Sequence, residues 1–129
     1  MSYTDHILKE DGWFTAEDKV LTFRVYAYTA TQPSIEADTA ATEVITGWAL
    51  SYMLKRRRTD ADADAVLTYT TGAGEITIVS PDASVEVPAE DTENLEEAVY
   101  FHELKRTDTG FNHVLCDGEV HLRRAVHDT

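Results

Sequence analysis

Short runs of alternating apolar and polar residues are the feature of this 129-residue sequence that most constrains its fold. Successive side chains of a β-strand point to opposite faces, so such runs predict strands with one buried face. Residues 20–28 and 48–54 both show this period of two, and no stretch has the apolar length of a membrane span. The residues that we predict in or near the core are Phe23, Val25, Trp48, Leu50, Leu54, Ile76, Tyr100 and Leu122.

Turn signals divide the remaining sequence into further short strands. We predict hairpin turns at residues 72–74, 81–82, 108–110 and 117–118, where Gly, Pro and Asp cluster. Residues 90–95 are too few for a long helix and predict one short helical turn. Seven or eight strands at this spacing predict an all-β, antiparallel β-sandwich.

The first 18 residues lack a clear period, which separates them from the rest of the chain. They include Trp13 and Phe14 after the turn signal Asp11-Gly12. We therefore expect an N-terminal arm over residues 1–18 and a β-sandwich domain over residues 19–129. Because aromatic residues are enriched where proteins dock, Trp13 and Phe14 are candidate anchors on a partner.

The charge balance is strongly acidic, with 24 Asp and Glu against 11 Lys and Arg and a formal net charge of −13. Such a surface repels phosphate, so nucleic acids and anionic membranes are not expected partners. Lysine is scarce and the acidic residues are spread along the chain, as in proteins of extreme halophiles. An acidic protein from a mesophile is the alternative.

The number of cysteines limits which disulfides and which metal sites the chain can form. Cys116 is the single cysteine, so an intrachain disulfide is excluded. The N-terminus has no basic-then-apolar signal layout, and we expect synthesis in a cytoplasm. His113, Cys116 and His121 have ligand types that zinc accepts, but strand alternation places His113 and Cys116 on opposite faces. We therefore interpret Cys116, which shares a face with Val114, as a small buried core residue, and we favour this interpretation over a zinc site.

Two charged clusters are the remaining candidate sites. Asp60, Asp62 and Asp64 resemble the start of a calcium loop, but Ala65 and Thr71 replace the required Gly and Glu. They are a weak candidate for a cation site, and a solvated turn is the alternative. The second cluster is the one concentration of basic charge. It either binds an acidic neighbour or another copy of this protein, or it forms a strand end with solvated side chains; its members are Arg56, Arg57 and Arg58.

No other motif points to catalysis or to a cofactor. The sequence has no Gly-x-Ser-x-Gly nucleophile motif and no glycine-rich phosphate loop before a helix. Carboxylates occur throughout the chain, so a pair of them carries no information about acid–base chemistry. We predict no catalytic residue and no cofactor.

Six ordered segments resemble a known family of small proteins that tailed viruses of bacteria and archaea encode. The segments are residues 45–50 (ITGWAL), 55–63 (KRRRTDADA), 74–78 (GEITI), 91–95 (DTENL), 100–108 (YFHELKRTD) and 114–120 (VLCDGEV). They are also similar to the N-terminal domain of the phage baseplate upper protein, over about residues 19–126. The resemblance implies an immunoglobulin-like β-sandwich that is a structural component of the virion, with no catalytic residues to carry over.

The sequence therefore favours a non-enzymatic virion protein of the capsid, neck or baseplate. It would assemble in multiple copies with itself and with other virion proteins, and its composition indicates a virus of a halophilic archaeon. The alternative is a binding module of the same fold for ligands or host surfaces. That alternative requires an exposed aromatic platform formed by Tyr26, Tyr28, Trp48 and Tyr69. A small enzyme is the third class, and the missing catalytic constellation disfavours it.

Salt is expected to stabilise the folded chain, because the net charge of −13 makes the compact state repel itself. Raising KCl from about 0.1 M to 1 M shortens the Debye length from about 10 Å to about 3 Å. We expect the melting temperature, followed by circular dichroism, to rise over this range. A melting temperature that stays constant or falls would contradict the halophilic interpretation.

Overall fold

Nine short strands make up most of the part of the chain that the structure describes. The structure is a computed structural model that describes residues 2–4, 9–27, 44–108 and 113–124, with the backbone alone at residues 2–4, 9–12, 26–27, 113 and 116. The strands are β1 (Ser2–Thr4), β2 (Lys9–Phe14), β3 (Lys19–Ala27), β4 (Leu50–Lys55), β5 (Leu67–Thr70), β6 (Ile76–Val79), β7 (Asp82–Val87), β8 (Ala98–Arg106) and β9 (His113–Arg123). A single α-helical turn, α1 (Ala89–Thr92), precedes β8, and a 3-10 turn spans Asp62–Asp64.

The strands form two sheets whose order identifies the fold. One sheet has the order β1-β3-β7-β6, and the other has the order β2-β9-β8-β4-β5. All neighbouring strands are antiparallel except β2 and β9, which are parallel. In immunoglobulin lettering these sheets are A-B-E-D and A′-G-F-C-C′. The chain is an immunoglobulin-like β-sandwich, as the sequence predicted.

Alternation along the strands places the core between the two sheets. Leu21, Phe23 and Val25 of β3 are buried, whereas the residues between them are exposed. Each large apolar side chain that is buried contributes about 1.5–3 kcal/mol. The predicted core is confirmed, since seven of its eight members are buried and Trp48 is half-buried against the same cluster.

Three rings join the two sheets at the centre of the core. The ring of Phe23 on β3 lies 6.3 Å from the ring of Tyr52 on β4 and 6.5 Å from that of His102 on β8, centroid to centroid. Tyr52 and His102 meet edge to face at 5.6 Å, and the Tyr52 hydroxyl is 3.0 Å from Nδ1 of His102. We call Phe23, Tyr52 and His102 the ring cluster. It links β3 of one sheet to β4 and β8 of the other.

The ring cluster occupies the place of the disulfide and tryptophan of antibody domains. In those domains a tyrosine of strand F precedes the second disulfide cysteine by two residues, and a tryptophan of strand C packs on the disulfide. Here Tyr100 precedes His102 by two residues, and Tyr52 lies on the equivalent of strand C. The Tyr100 hydroxyl donates to the carbonyl of Glu96 at 2.8 Å, which is the hydrogen bond of a tyrosine corner.

The connections between strands follow the sequence signals in part. The Pro81-Asp82 turn joins β6 to β7 as a hairpin, and Pro88 ends β7 immediately before α1, both as predicted. Residues 72–74 do not form a hairpin, because they carry the chain from β5 in one sheet to β6 in the other. Gly74 adopts φ +81° in this crossing, a conformation that glycine tolerates without steric cost.

The predicted hairpin turn at Asp117-Gly118 is wrong, because these residues lie within β9. Asp117 pairs with Glu103 of β8, and Gly118 pairs with His102. From Glu119 onward, β9 also has β2 as a neighbour on its other edge. Backbone hydrogen bonds to the neighbouring strands therefore outweigh the local preference of an Asp-Gly pair for a turn.

The predicted boundary between an arm (1–18) and a domain (19–129) is also wrong for the described residues. β1 pairs with β3 in one sheet, and β2 pairs with β9 in the other. Trp13 is fully buried within the core, and Phe14 beside it is half-buried. Trp13 is therefore a core residue of its own domain and not an anchor on a partner.

The sequence pattern did not predict β2, because the register of β2 with β9 is irregular. The pairing with β9 shifts between Glu10 and Trp13, so the residues between them break the alternation that a regular strand shows. Asp11-Gly12 falls at this irregularity, where a local turn signal is compatible with a bulge.

Among the described residues, no helix has the length and apolar character that crossing a membrane requires.

Replacing Trp13 with Ala is expected to lower the free energy of unfolding by about 3–5 kcal/mol, the range for truncating a large buried aromatic side chain. Urea unfolding followed by fluorescence and circular dichroism measures this change. The control is Val99→Ala, because Val99 is 42% exposed and its truncation should change the free energy by about 0.5 kcal/mol or less. Equal effects of the two substitutions would contradict the burial of Trp13.

Candidate protein-contact surfaces

Arg56, at the end of β4, contacts its own domain. Lys55 pairs with Phe101, so the residues that follow β4 lie beside the start of β8. Nη1 of Arg56 donates to the carbonyl of Val99 at 3.0 Å, and its guanidinium carbon lies 5.2 Å from the centroid of the Tyr100 ring. Arg56 thus covers the tyrosine corner, where a cation over an aromatic ring contributes about 0.5–1 kcal/mol.

Arg58 also contacts its own domain, whereas Arg57 faces solvent. The guanidinium carbon of Arg58 lies 4.9 Å from the centroid of the Phe101 ring, and Nη1 lies 2.6 Å from Oδ2 of Asp117. Both partners of this ion pair are about half exposed, so it contributes about 1 kcal/mol or less. The prediction that the arginine cluster contacts a partner stays a prediction, and it now depends mainly on Arg57.

Asp60, Asp62 and Asp64 do not converge on one point. Oδ2 of Asp60 accepts from the backbone N–H of Arg57 at 3.2 Å. Oδ1 of Asp62 accepts from Nζ of Lys55 at 2.8 Å, and this hydrogen bond holds the pKa of Asp62 below its ordinary value. Within the described residues, no three His, Cys, Asp or Glu side chains are arranged to hold a metal ion. Asp60 and Asp62 thus bind groups of their own chain, and the three aspartates are not gathered around one point in the described structure.

His121 is the one candidate zinc ligand whose side chain lies in the described part of the chain. His121 is half-buried on β9, opposite Val99. The side chains of His113 and Cys116 lie outside the described part of the chain.

The aromatic platform of the ligand-binding alternative is not assembled. Tyr69 is buried, and its hydroxyl donates to Oδ2 of Asp91 at 2.6 Å. Trp48 is half-buried, and the guanidinium carbon of Arg106 lies 3.8 Å from the centroid of its ring. The Tyr26 side chain and the whole of Tyr28 lie outside the described residues. The two described members of the proposed platform are therefore engaged within the domain.

Asp108 fixes the end of the sandwich at which Trp48 lies. It accepts hydrogen bonds from Nη2 of Arg106, at 3.1 Å, and from the backbone N–H of Ala49. The hydrogen bond from Arg106 is the main cause that holds the pKa of Asp108 below its ordinary value. This network joins the β8–β9 connection to the residues before β4, so this end of the domain is tied by charged groups.

The outer face of the five-stranded sheet carries many charges that balance one another. Arg58 pairs with Asp117 across Phe101, and Lys55 and Lys105 both approach Asp62, the latter at 3.8 Å. Exposed Val99 and Val114 lie on the same face by register. The charged groups of this face are Lys55, Arg58, Lys105, Arg123, Asp62, Glu103, Asp117 and Glu119.

The outer face of the four-stranded sheet is different, because it has few charges. Pairing of β3, β7 and β6 aligns their outward residues in rows that run across the strands. The central row consists of Thr22, Ser84 and Thr77. We call the described outward residues of these three strands the four-stranded outer face. They are Val20, Thr22, Arg24, Thr77, Val79, Asp82, Ser84 and Glu86.

Hydroxyl and ion-pair contacts connect neighbouring strands across the four-stranded outer face. The hydroxyls of Thr22 and Ser84 lie 3.3 Å apart. Nε and Nη2 of Arg24 donate to the two carboxylate oxygens of Asp82 at 2.9 and 3.3 Å. Val20 and Val79 remain 58% and 72% exposed at opposite ends of the face. One Arg, one Asp and one Glu give it a net charge of −1, in a chain of net charge −13.

The carboxylates concentrate instead at the end of the sandwich that holds α1. The turn before β3 and the segment around α1 are joined there by two hydrogen bonds, from Ala89 N–H to Oδ1 of Asp18 at 2.8 Å and from Ala16 N–H to Oγ1 of Thr92 at 3.0 Å. Residues 15–18 and 88–97 contain no Lys or Arg. Their acidic residues are Glu17, Asp18, Glu90, Asp91, Glu93, Glu96 and Glu97.

No family model matches the chain, and no curated protein matches it. The M3 domain of titin, known from a crystal structure, is similar over 95% of each chain, with 10% sequence identity and a TM-score of 0.39. The identification of the fold rests on the strand order and the tyrosine corner, and not on this similarity.

High pH is expected to unfold the domain through Tyr69. Burial, and next the hydrogen bond to Asp91, raise the pKa of Tyr69 far above its ordinary value. A phenol with a raised pKa in the folded state stabilises fully below its unfolded pKa of about 10, and this contribution is lost as pH rises further. We expect the free energy of unfolding to fall above about pH 10, with Tyr69 contributing up to about 1.4 kcal/mol per pH unit.

The variant Tyr69→Phe isolates this contribution. Urea unfolding at a series of pH values should show a shallower fall above pH 10 for the variant than for the wild type, since Phe has no proton to lose. An unchanged slope would mean that other groups dominate the alkaline unfolding.

Proposed function

We propose that this protein is a non-enzymatic structural component of the virion of a tailed virus, present in multiple copies and held by protein–protein contacts. The observation that carries the proposal is the immunoglobulin-like sandwich itself. This is the fold that the resemblance to tailed-virus proteins implies, and the strand order and tyrosine corner identify it independently of that resemblance. Synthesis in the host cytoplasm and incorporation into the particle are part of the proposal.

The surface chemistry supports a role in protein contacts. Most described charges on the five-stranded sheet are paired within the domain, and two of the three clustered arginines lie over rings of β8. The four-stranded outer face offers hydroxyl groups and exposed valines with little charge. Charged residues are depleted at the core of protein–protein interfaces, so a surface with little charge suits contact with another folded protein.

The acidic composition supports a halophilic host as the source of the virus. The carboxylates at the α1 end would repel one another in dilute buffer, and molar salt screens that repulsion. In the same salt, association of two acidic proteins becomes possible without opposite charge on one of them. Assembly of this protein is therefore expected to require high salt.

The test is the composition of purified particles of the virus that encodes the chain. Quantitative mass spectrometry should find the chain in particles at a constant ratio to the major capsid protein, and electron cryomicroscopy should show the sandwich repeated by the symmetry of one location. A replication protein of the same virus serves as the control for contamination from the lysate. A chain that is present in infected cells and absent from particles would overturn the proposal.

A further inference from the structure

We infer that β6 pairs with β6 of a second copy of this chain, antiparallel and around a two-fold axis at Thr77, so that two four-stranded sheets join into one continuous sheet. This inference deepens the proposed function, on which it rests, because it names the contact through which copies meet. It depends on the main chain of β6, which is the last strand in the order β1-β3-β7-β6.

The hydrogen bonds between β6 and β7 show which main-chain groups of β6 face outward. Glu86 N–H donates to the carbonyl of Glu75 at 3.3 Å. Hydrogen-bonded and non-hydrogen-bonded pairs alternate along an antiparallel ladder, so β7 binds the main chain of Thr77 and not that of Ile76 or Ile78. The N–H and carbonyl groups of Ile76 and Ile78 therefore point away from β7, where no other described strand pairs with them.

The other edge strands have features that keep a further strand from pairing, such as a bulge, charged side chains, a short length or a covering group. β2 has an irregular register and contains Lys9, Glu10 and Asp11, and β1 has three residues. At the edge of β5, Thr70 N–H donates to Oε1 of Glu75 at 3.3 Å, and the Thr70 carbonyl accepts from Glu75 N–H at 3.2 Å. β6 has a regular register, no charged residue and, within the described part of the chain, no covering strand.

Exposed apolar side chains lie at one end of this edge. Ile45 N–H donates to Oγ of Ser80 at 3.0 Å, which brings the residues before them, Val44 and Val79, to the same end of β6. Val44 is 74% exposed and Val79 is 72% exposed, the highest values among the exposed large apolar residues of the described chain. Since burial of apolar area favours association, this end of β6 has surface to gain from a partner.

The length of the open edge favours a second copy as the partner. Gly74 has φ +81°, which departs from strand geometry, and the turn at Ser80-Pro81 closes the other end. A longer partner strand would therefore gain no further main-chain hydrogen bonds along β6. A second β6 has the same length and the same two outward residues, so it matches the open edge from end to end.

One register of two β6 strands satisfies every outward group. When Thr77 faces Thr77 of the other copy, Ile76 of each copy faces Ile78 of the other, and both pairs can exchange two N–H···O bonds. An axis at Ile76 or at Ile78 keeps one such pair, because it places the other residue against the chain outside β6, and half of the hydrogen bonds are lost. At the axis the exposed Thr77 side chains meet with Cβ atoms about 4.5–5.5 Å apart.

The contact area sets the expected strength of this pairing. A stable interface buries about 800 Å² per partner, and the pairing of two four-residue strands covers less. Val79 of each copy lies diagonal to Thr77 of the other and loses part of its exposure there. We therefore expect a weak dimer in solution, with a dissociation constant above about 10 μM, which the repetition of copies in one particle reinforces.

The experiment combines sedimentation equilibrium with amide hydrogen exchange of the full chain, in about 2 M KCl and at concentrations up to about 1 mM. We expect dimers at the upper end of this range. The amides of Ile76 and Ile78 should then exchange about tenfold more slowly than in dilute solution. The amide of Thr68, which points outward from the edge of β5, is the control, and its exchange should not depend on concentration.

A pair of charge variants locates the axis, in about 0.5 M KCl so that charges in contact are not fully screened. Thr77→Lys and Thr77→Glu each place like charges opposite one another and should weaken their homodimers at least about threefold. Net charge alone would instead favour the homodimer of Thr77→Lys, whose net charge changes from −13 to −12. A mixture of the two variants should form a heterodimer that is more stable than either homodimer, because the charges at the axis are then opposite.

The matched controls are Thr68→Lys and Thr68→Glu, which carry the same charges at an exposed position on the other sheet. Mixing these two variants should not increase association. Circular dichroism and melting temperatures establish that each variant is folded, and the heterodimer is a gain that an unfolded protein could not show.

A wild type that stays monomeric at about 1 mM overturns the inference. A dimer in which the amides of Ile76 and Ile78 exchange as fast as in dilute solution also overturns it, as does a mixture of the Thr77 variants that associates no better than the mixture of the Thr68 controls. These outcomes are independent of the particle test. A monomeric protein found in virions would remove this contact only, whereas a dimeric protein absent from virions would remove the proposed function only.

Discussion

The contact of Phe23, Tyr52 and His102 across the core is the interaction on which the rest of the sandwich depends. Each ring belongs to a different strand, and together they set the separation of the two sheets at the point where antibody domains have a covalent link. The Tyr52 hydroxyl and Nδ1 of His102 meet at 3.0 Å, which offsets the cost of burying these two atoms. Since Cys116 is the single cysteine, the domain reaches this arrangement without oxidation.

The sequence was most informative where one strand buries one regular face. β3 alternates between buried and exposed residues, and β4 does so except that Ser51 is buried as well. Their buried apolar residues were predicted correctly because side-chain direction follows from position in the chain alone. β2 and the middle of β9 were missed. In both, pairing with distant strands decides the structure, and a bulge or an Asp-Gly pair conceals the strand from a local pattern.

The surfaces were harder to predict than the core for a related reason. The arginine cluster is visible in the sequence, but the rings of Tyr100 and Phe101 that receive Arg56 and Arg58 are more than 40 residues away. The four-stranded outer face has no motif at all, because its residues come from three strands and are not neighbours in the sequence. A surface of this kind is defined by the pairing of the strands, which becomes visible only in the folded chain.

The parallel pairing of β2 with β9 has a mechanical consequence. These two strands lie near the two ends of the chain, and because they run in the same direction, tension applied between those ends pulls them past each other along their length. The hydrogen bonds between them are then loaded together in shear, whereas an antiparallel pair pulled from one end opens one bond at a time. The pairing of β2 with β9 thus makes the domain resist stretching.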